Sequence, residues 1–592
     1  MKEFFKMFFA SALAMVVVSI ISVVVCVAVV MGIASSLSEK DVTKTKGDVL
    51  VIDLAKRIHE QGEINSLAAL GGGNDYVPGL YDITKALAYA KTDGGIKGIL
   101  IKLGPTPNGW ATLQQLRAAL EDFKISKKFI YAYGEDITQA AYFAASPADS
   151  IYLNPAGDIG LKGFATTLAF FKGTLDKLEL EPEIFYAGKF KSATEPFRAE
   201  KMSEPNKLQV AAFQNGIWGQ YLDAASEYTG VPRDTIHQWA VRGSIQFPAD
   251  AAKYGFVAGL LYWDQVEQRI RAKTGTPEKN NIKYVSIVDY AGAHKNEGKL
   301  SENKIAVLIA EGNIVDGEEK DDNQIASKTF CEAIRKVAKD DKIKAVVLRV
   351  NSPGGSALAS EVILRELVLL KQKKHLIVSM GDYAASGGYY ISTMADSIFA
   401  LPNTLTGSIG VFGMMFAMDK LAKNKLGITF DGVKNAPYAD VPTSTRPLTP
   451  EEGKMIQASV DTIYAIFKRH VASGRKLDVA DVDTISQGRV WTGSDAYEIG
   501  LVDGLGGLDR AIASAVSMAK VKDYKVVTYP APADKLEKLL KKFDNNTEMK
   551  AAIKTAIKEE VGPEYEWIER IQDLRKMNGK AMMAMPWVPV VE

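Results

Sequence analysis

One apolar run dominates the N-terminus: no charged residue occurs between Met7 and Ala34. The run is longer than the roughly 20 residues that cross a bilayer and than the apolar stretch of a cleavable signal. Lys2 and Lys6 precede it, while Glu39, Lys40 and Asp41 follow it. The pattern therefore predicts a transmembrane helix with its basic end in the cytoplasm and the rest of the chain on the far side. A long signal cleaved near Ala34-Ser35-Ser36 is the alternative. Beyond residue 46 short β-branched runs alternate with helical spacings. Residues 345–350 predict a strand, 359–371 a helix, 376–380 a strand, 384–394 a helix and 397–400 a strand. Such alternation predicts βα units feeding a largely parallel α/β sheet.

The pattern also repeats. Ile96-Lys97-Gly98-Ile99-Leu100-Ile101-Lys102-Leu103 matches Ile343-Lys344-Ala345-Val346-Val347-Leu348-Arg349-Val350. Ala148-Asp149-Ser150-Ile151-Tyr152 matches Ala395-Asp396-Ser397-Ile398-Phe399, and Gly157-Asp158-Ile159-Gly160 matches Gly407-Ser408-Ile409-Gly410. Further matches join 128–134 to 375–381 and 252–259 to 496–504. They keep one order and a near-constant offset, so the chain predicts two tandem copies of one α/β domain. The expected division is a stub and anchor over 1–46, a first copy over 47–303, a second over 304–525 and a charged, helical tail over 526–592. The tail ends in an apolar stretch, 582–591, expected to pack on the core or on a neighbouring subunit.

The copies differ at two places. Gly381-Asp382-Tyr383-Ala384-Ala385-Ser386 faces Gly134-Glu135-Asp136-Ile137-Thr138-Gln139, so the serine of the second copy is Gln139 in the first. The glycine pair in Asn351-Ser352-Pro353-Gly354-Gly355-Ser356 is also missing from its counterpart, Gly104-Pro105-Thr106-Pro107-Asn108-Gly109. Conversely, Lys191 of the first copy faces Asn435 of the second. A serine between small residues at a strand-to-helix turn is either a packing residue or a nucleophile. A lysine is ordinarily a solvated surface residue. The complementary loss favours the functional reading of both.

Composition narrows the chemistry. Hydrophobic residues at 47% and charged residues at 24% suit a large globular core. With 72 basic against 71 acidic residues there is no basic surplus to bind nucleic acid. Cys26 and Cys331 lie far apart in unlike contexts, and the 5 histidines show no metal-ligand spacing, so no metal or cofactor is expected. No histidine sits in a local context that marks it as a base for Ser386. A lysine can take that role if burial lowers its pKa from about 10.4 toward neutrality. Gly354, Gly355 and Gly387 offer backbone N–H groups for an oxyanion, each worth about 2.7–4 kcal/mol. Ser408 is either a turn serine or a partner that holds the lysine.

With those residues assembled, the chain resembles the S49 serine peptidases in their long, duplicated, membrane-anchored form. Residues 188–197, 351–356, 381–390, 406–413 and 487–493 carry the resemblance, which extends over nearly the whole chain. It implies a ClpP/crotonase-like fold in both copies, Ser386 as nucleophile and Lys191 as general base. It also implies cleavage of remnant signal peptides at the membrane, and a homotetramer on the periplasmic face of the inner membrane. Lys191 and Ser386 can meet within one subunit or across two. A crotonase-type acyl-CoA enzyme is a rival reading, disfavoured by the anchor and the serine turn. A non-enzymatic scaffold is another, disfavoured by the Ser386–Lys191 pair.

Overall fold

Near-continuous apolar runs such as Ile343–Ser352 are buried on both faces, as strands of a helix-covered parallel sheet must be. The computed structural model describes residues 47–64, 76–295, 301–319, 323–532 and 581–585. In the first sheet the strands lie in the order Gly259–Leu260, Ser150–Ile159, Phe129–Ile137, Gly98–Leu103, Val49–Asp53 and Tyr284–Ser286, all parallel. The second sheet has a parallel path through Gly504–Leu505, Ser397–Ala400, His375–Ala385, Ile343–Ser352, Lys304–Glu311 and Lys525–Tyr529, and a branch from His375–Ala385 through Leu405–Gly407 to the antiparallel strand Val490–Thr492. The same order of equivalent strands makes the internal repeat a repeat of topology. Lys525–Tyr529 carries the second sheet past residue 525. The predicted anchor over 7–34 lies outside the described residues. Among the described residues no helix is long and apolar enough to cross a membrane.

One predicted element changes character. The helix expected over 384–394 is only Gly387–Tyr390, because the preceding strand runs on through Ala385. Tyr383, Ala384 and Ala385 pair with Leu405, Thr406 and Gly407, and this second ladder keeps the chain extended until Ser386.

A third sheet joins the copies. Its order is Gln324–Ala326, Asn313–Val315, Gly354–Ser356, Ala581–Ala584, Val411–Ala417 and Glu181–Ala187. Glu181–Ala187 comes from the first copy and pairs antiparallel with Val411–Ala417 of the second, from Glu181 opposite Ala417 to Ala187 opposite Val411. Two polar contacts reinforce this seam. Asp382, on the strand that leads to Ser386, accepts hydrogen bonds from Thr112 N (2.8 Å) and Thr112 Oγ1 (2.6 Å) at the start of the first-copy helix Trp110–Lys124. Arg349 and Glu60 form a fully buried bidentate pair, Nε–Oε2 at 2.8 Å and Nη2–Oε1 at 2.9 Å. Arg349 also donates to Ser379 Oγ and the Met380 carbonyl.

A buried guanidinium without its carboxylate is an uncompensated charge. Glu60→Ala is therefore expected to cost about 3–5 kcal/mol of stability. Denaturant unfolding of the variant against the parent measures it, and the neighbouring Glu63→Ala, on a partly exposed side chain, serves as the mild control.

Candidate active site

The lysine is delivered by the seam. After Ala187 leaves the inter-copy ladder, the chain turns at Gly188 and Lys191 N donates to the Gly188 carbonyl (3.0 Å). The turn rests on the second copy: Phe190 N donates to the Gln487 carbonyl (2.8 Å), and a Cβ on Gly488 would lie 2.7 Å from the Lys191 backbone N. Only glycine allows that approach. Gln209, buried on the helix Glu204–Thr229, clamps the turn from behind. Its Nε2 donates to the Phe190 carbonyl (3.1 Å) and Ser192 Oγ (2.9 Å), while its Oε1 accepts from Val490 N of the second copy (3.2 Å).

The serine is delivered by the long strand His375–Ala385. Ser386 follows it in a left-handed conformation, φ 55° and ψ −112°, uncommon for a residue with a side chain. The position is held by Ser386 N donating to the Gly407 carbonyl (2.8 Å) and by Tyr390 N donating to the Ser386 carbonyl (2.8 Å). A serine strained between a strand and a helix presents its hydroxyl away from both, the geometry of a nucleophile elbow.

The two residues meet within one chain. Lys191 Nζ lies 2.9 Å from Ser386 Oγ, 3.1 Å from Ser408 Oγ and 3.1 Å from the Ser408 carbonyl. Lys191, Ser386 and Ser408 are all buried, at 1%, 0% and 0% exposure. Burial pushes the Lys191 pKa well below the usual lysine range, and among the described residues no carboxylate stands near enough to raise it again. A neutral amine has two N–H donors and one lone pair, and this site offers two acceptors on Ser408 and one hydroxyl proton on Ser386. The arrangement can therefore move a proton from a hydroxyl to an amine.

Gly354 and Gly387 converge beside the serine. Gly354 (φ 103°) leaves room that a Cβ would fill, since that atom would fall 2.7 Å from Gly387 N. Gly354 N donates to Ser352 Oγ (3.1 Å). Gly355 lies one residue farther along, paired with Ile314 in the third sheet. Histidine stands elsewhere: His375 neighbours Asp396, His470 neighbours Glu361 and His59 bonds Glu311. Among the described residues no histidine hydrogen-bonds Ser386, and no cluster of His, Cys, Asp or Glu could hold a metal ion.

The equivalent sites of the other copies are closed or absent. Gln139 is buried with its Oε1 accepting from Lys162 N (3.0 Å) and Gly163 N (3.1 Å), so an amide fills the place of the hydroxyl. Asn435 lies in an exposed loop. The sequence pattern did not single out Gln209, a glutamine within the long helix Glu204–Thr229 that carries no amphipathic stripe to mark its inner face. Nor did it place the segment Ala581–Ala584, which lies against Gly354–Ser356.

Comparison with known proteins follows the same division. The profile of peptidase family S49 matches twice, over residues 122–276 and 368–522. Protease 4 of Salmonella typhi is 37% identical over 492 residues, covering 81% of this chain and 78% of that protein. Protease 4 of Haemophilus influenzae is 35% identical over 484 residues, covering 78% of each. The chloroplastic serine protease SPPA of Arabidopsis thaliana is 31% identical over 489 residues, covering 82% of this chain and 71% of that protein. A doubled match, one in each copy, together with similarity along most of the length, shows that this chain belongs to peptidase family S49.

Proposed function

We propose that the chain is a serine endopeptidase that works through a Ser386–Lys191 dyad. The observation that carries this reading is the 2.9 Å approach of a buried lysine, without a counter-ion among the described residues, to a serine held in a strained turn. Neutral Lys191 takes the proton of Ser386 as Oγ attacks a peptide carbonyl carbon. The developing oxyanion is met by the backbone N–H of Gly387, with the glycine turn 354–355 leaving room beside it. Lys191 then gives the proton to the leaving amine, and water resolves the acyl-enzyme. Ser408 keeps two of the amine's valences occupied, so the lone pair is directed at Ser386. The same reading takes the apolar run 7–34 as an anchor in the inner membrane. It places the catalytic copies on the periplasmic side as a homotetramer, and makes remnant signal peptides the substrates. The length and flanking charges of that run, and the family resemblance, support these finer assignments.

Three outcomes follow from the dyad. Ser386→Ala and Lys191→Met each lower kcat/KM on a peptide substrate by about 10⁴-fold or more. A fluorophosphonate probe labels the parent chain and fails to label Ser386→Ala. Lys191→Met also unfolds at no lower temperature than the parent. Below about pH 10.4 the unfolded lysine binds a proton that the folded one refuses, so the native amine opposes folding there.

The pH dependence has a definite sign. Protonated Lys191 has no lone pair, so activity is lost as pH falls through its pKa and rises as pH climbs. Because burial depresses that pKa, the rise is complete well below the ordinary value of about 10.4. A rate profile that still climbs steeply near pH 10 contradicts the assignment. Ser408→Ala removes one acceptor from Lys191 and is expected to reduce kcat by about 10²-fold, with KM little changed.

A further inference from the structure

The amine of Lys191 is presented by a one-residue bend. Lys191 has φ −73° and ψ 78°, and Ser192 N donates to the Phe190 carbonyl across it (2.8 Å). This is an inverse γ-turn, which closes on a single hydrogen bond and is common where a strand gives way to a loop. A reacting side chain must be held to within about 0.5 Å of its productive place, and a bend closed by one bond needs outside support to do so.

One side chain supplies that support in both directions. Gln209 Nε2 donates to the Phe190 carbonyl (3.1 Å) and to Ser192 Oγ (2.9 Å), on either side of Lys191. Its Oε1 accepts from Val490 N (3.2 Å). Val490 pairs with Gly407, whose carbonyl accepts from Ser386 N (2.8 Å). A single buried amide therefore ties the lysine bend of the first copy to the strand pair that holds the serine in the second.

The amide is oriented from behind. Glu195 is buried, and its oxygens accept from Ser203 N (3.2 Å), Ser203 Oγ and Asn206 Nδ2 (2.9 Å). A carboxylate only accepts, so Asn206 turns its Nδ2 to Glu195 and its Oδ1 to Gln209 Nε2 (3.0 Å). Gln209 then shows its oxygen to the opposite side, where Val490 N stands. The internal repeat adds a comparison. The helix Pro450–Arg475 of the second copy has the same length as Glu204–Thr229, 26 residues, with Thr449 as N-cap in place of Ser203. Counted from those caps, Gln209 corresponds to Met455, which is 46% exposed. The buried amide belongs to the copy that carries the lysine.

We propose that Gln209 is a positioning residue for the dyad, setting the distance between the Lys191 amine and the Ser386 hydroxyl through its hydrogen bonds to Phe190, Ser192 and Val490. The inference rests on the Ser386–Lys191 reading above and adds the group that keeps its two halves in register. Gln209 acts through the backbone around Lys191 rather than on a reacting atom, so its loss falls on rate and not on substrate binding. Without the amide the bend drifts, the proton transfer lengthens and water reaches the amine. Hydration favours the charged form, so more of the lysine is protonated at a given pH. The charged side chains around the bend are Glu195, Lys189 and Arg489, the last two over the Phe190 ring, and a change confined to Gln209 removes none of them.

The test is peptide hydrolysis against pH by the full-length chain in detergent, for the parent, Gln209→Met and Asn206→Ala. Methionine keeps the length and apolar bulk of the side chain and removes the amide. Gln209→Met is expected to lower kcat about 10²-fold with KM within about twofold, and to move the acid limb of the profile to higher pH. Asn206→Ala leaves Gln209 in place but unoriented, and is expected to lower kcat about tenfold with a shift of the acid limb in the same direction. An unchanged kcat in Gln209→Met overturns the proposal, as does a loss that lies in KM alone. A fall in kcat with the acid limb unmoved makes Gln209 a stability residue and overturns it too. If Gln209→Met does not fold, Asn206→Ala decides by the same readouts, and failure of both to fold overturns the proposal. A parent that neither cuts peptide nor takes a fluorophosphonate label removes the dyad reading itself, whereas an active parent beside an unaffected Gln209→Met removes only this inference.

Discussion

The structure depends on one ladder, the antiparallel pairing of Glu181–Ala187 with Val411–Ala417. Each copy has its own parallel sheet, while the strand Glu181–Ala187 of the first copy finds its ladder partner in the second. The ladder brings their functional turns together. Lys191 follows one of its strands by a tight turn, and Ser408 precedes the other. Register in a ladder is set by side-chain alternation, and a slip of one residue turns every side chain to the opposite face. The proton acceptor is thus positioned by backbone geometry over several residue pairs, more rigidly than a single flexible side chain can position itself.

Burial does the chemical part. A lysine in water holds its proton too firmly to serve as a base near neutrality. Here the copies close around the amine, and among the described residues no carboxylate accompanies it to favour the charged form. The contrast with Arg349 is instructive. That buried cation has Glu60, Ser379 and Met380 as partners and remains a structural charge. Lys191 instead hydrogen-bonds the uncharged oxygens of Ser386 and Ser408. The same seam thus holds one paired cation for architecture and one unpaired amine for chemistry. Duplication made this division available, since a site shared by two copies needs only one nucleophile and one base. Gln139, hydrogen-bonded into its own loop, fills in the first copy the place that Ser386 takes in the second.

Much of this was legible in the residues. The repeat, the alternation of strands and helices in each copy and the complementary exchange of Ser386 for Gln139 and Lys191 for Asn435 were all readable as pattern. What pattern missed depended on contacts distant in sequence. The helix expected over 384–394 is shortened by pairing with Leu405–Gly407, which local helical spacing cannot reveal. Lys102 and Arg349 occupy equivalent positions, yet the first is exposed and the second buried, because only Arg349 meets Glu60 across the seam. Gln209 looked like any polar residue on a long helix until the lysine turn was seen to rest on it. The apolar tail was legible as a packing segment, but its run of Met and Ala residues did not reveal that it pairs with Gly354–Ser356 and Val411–Ala417.

The central claim is that the Lys191 amine is neutral when the protein is at work. The direct measurement is ¹⁵N NMR of the lysine Nζ groups in the folded chain at pH 7, with the Lys191 resonance assigned by its loss in Lys191→Met. The account predicts one signal at the position of a free amine, taking up its proton only at lower pH. A Lys191 resonance at the ammonium position, unchanged up to pH 10, contradicts it.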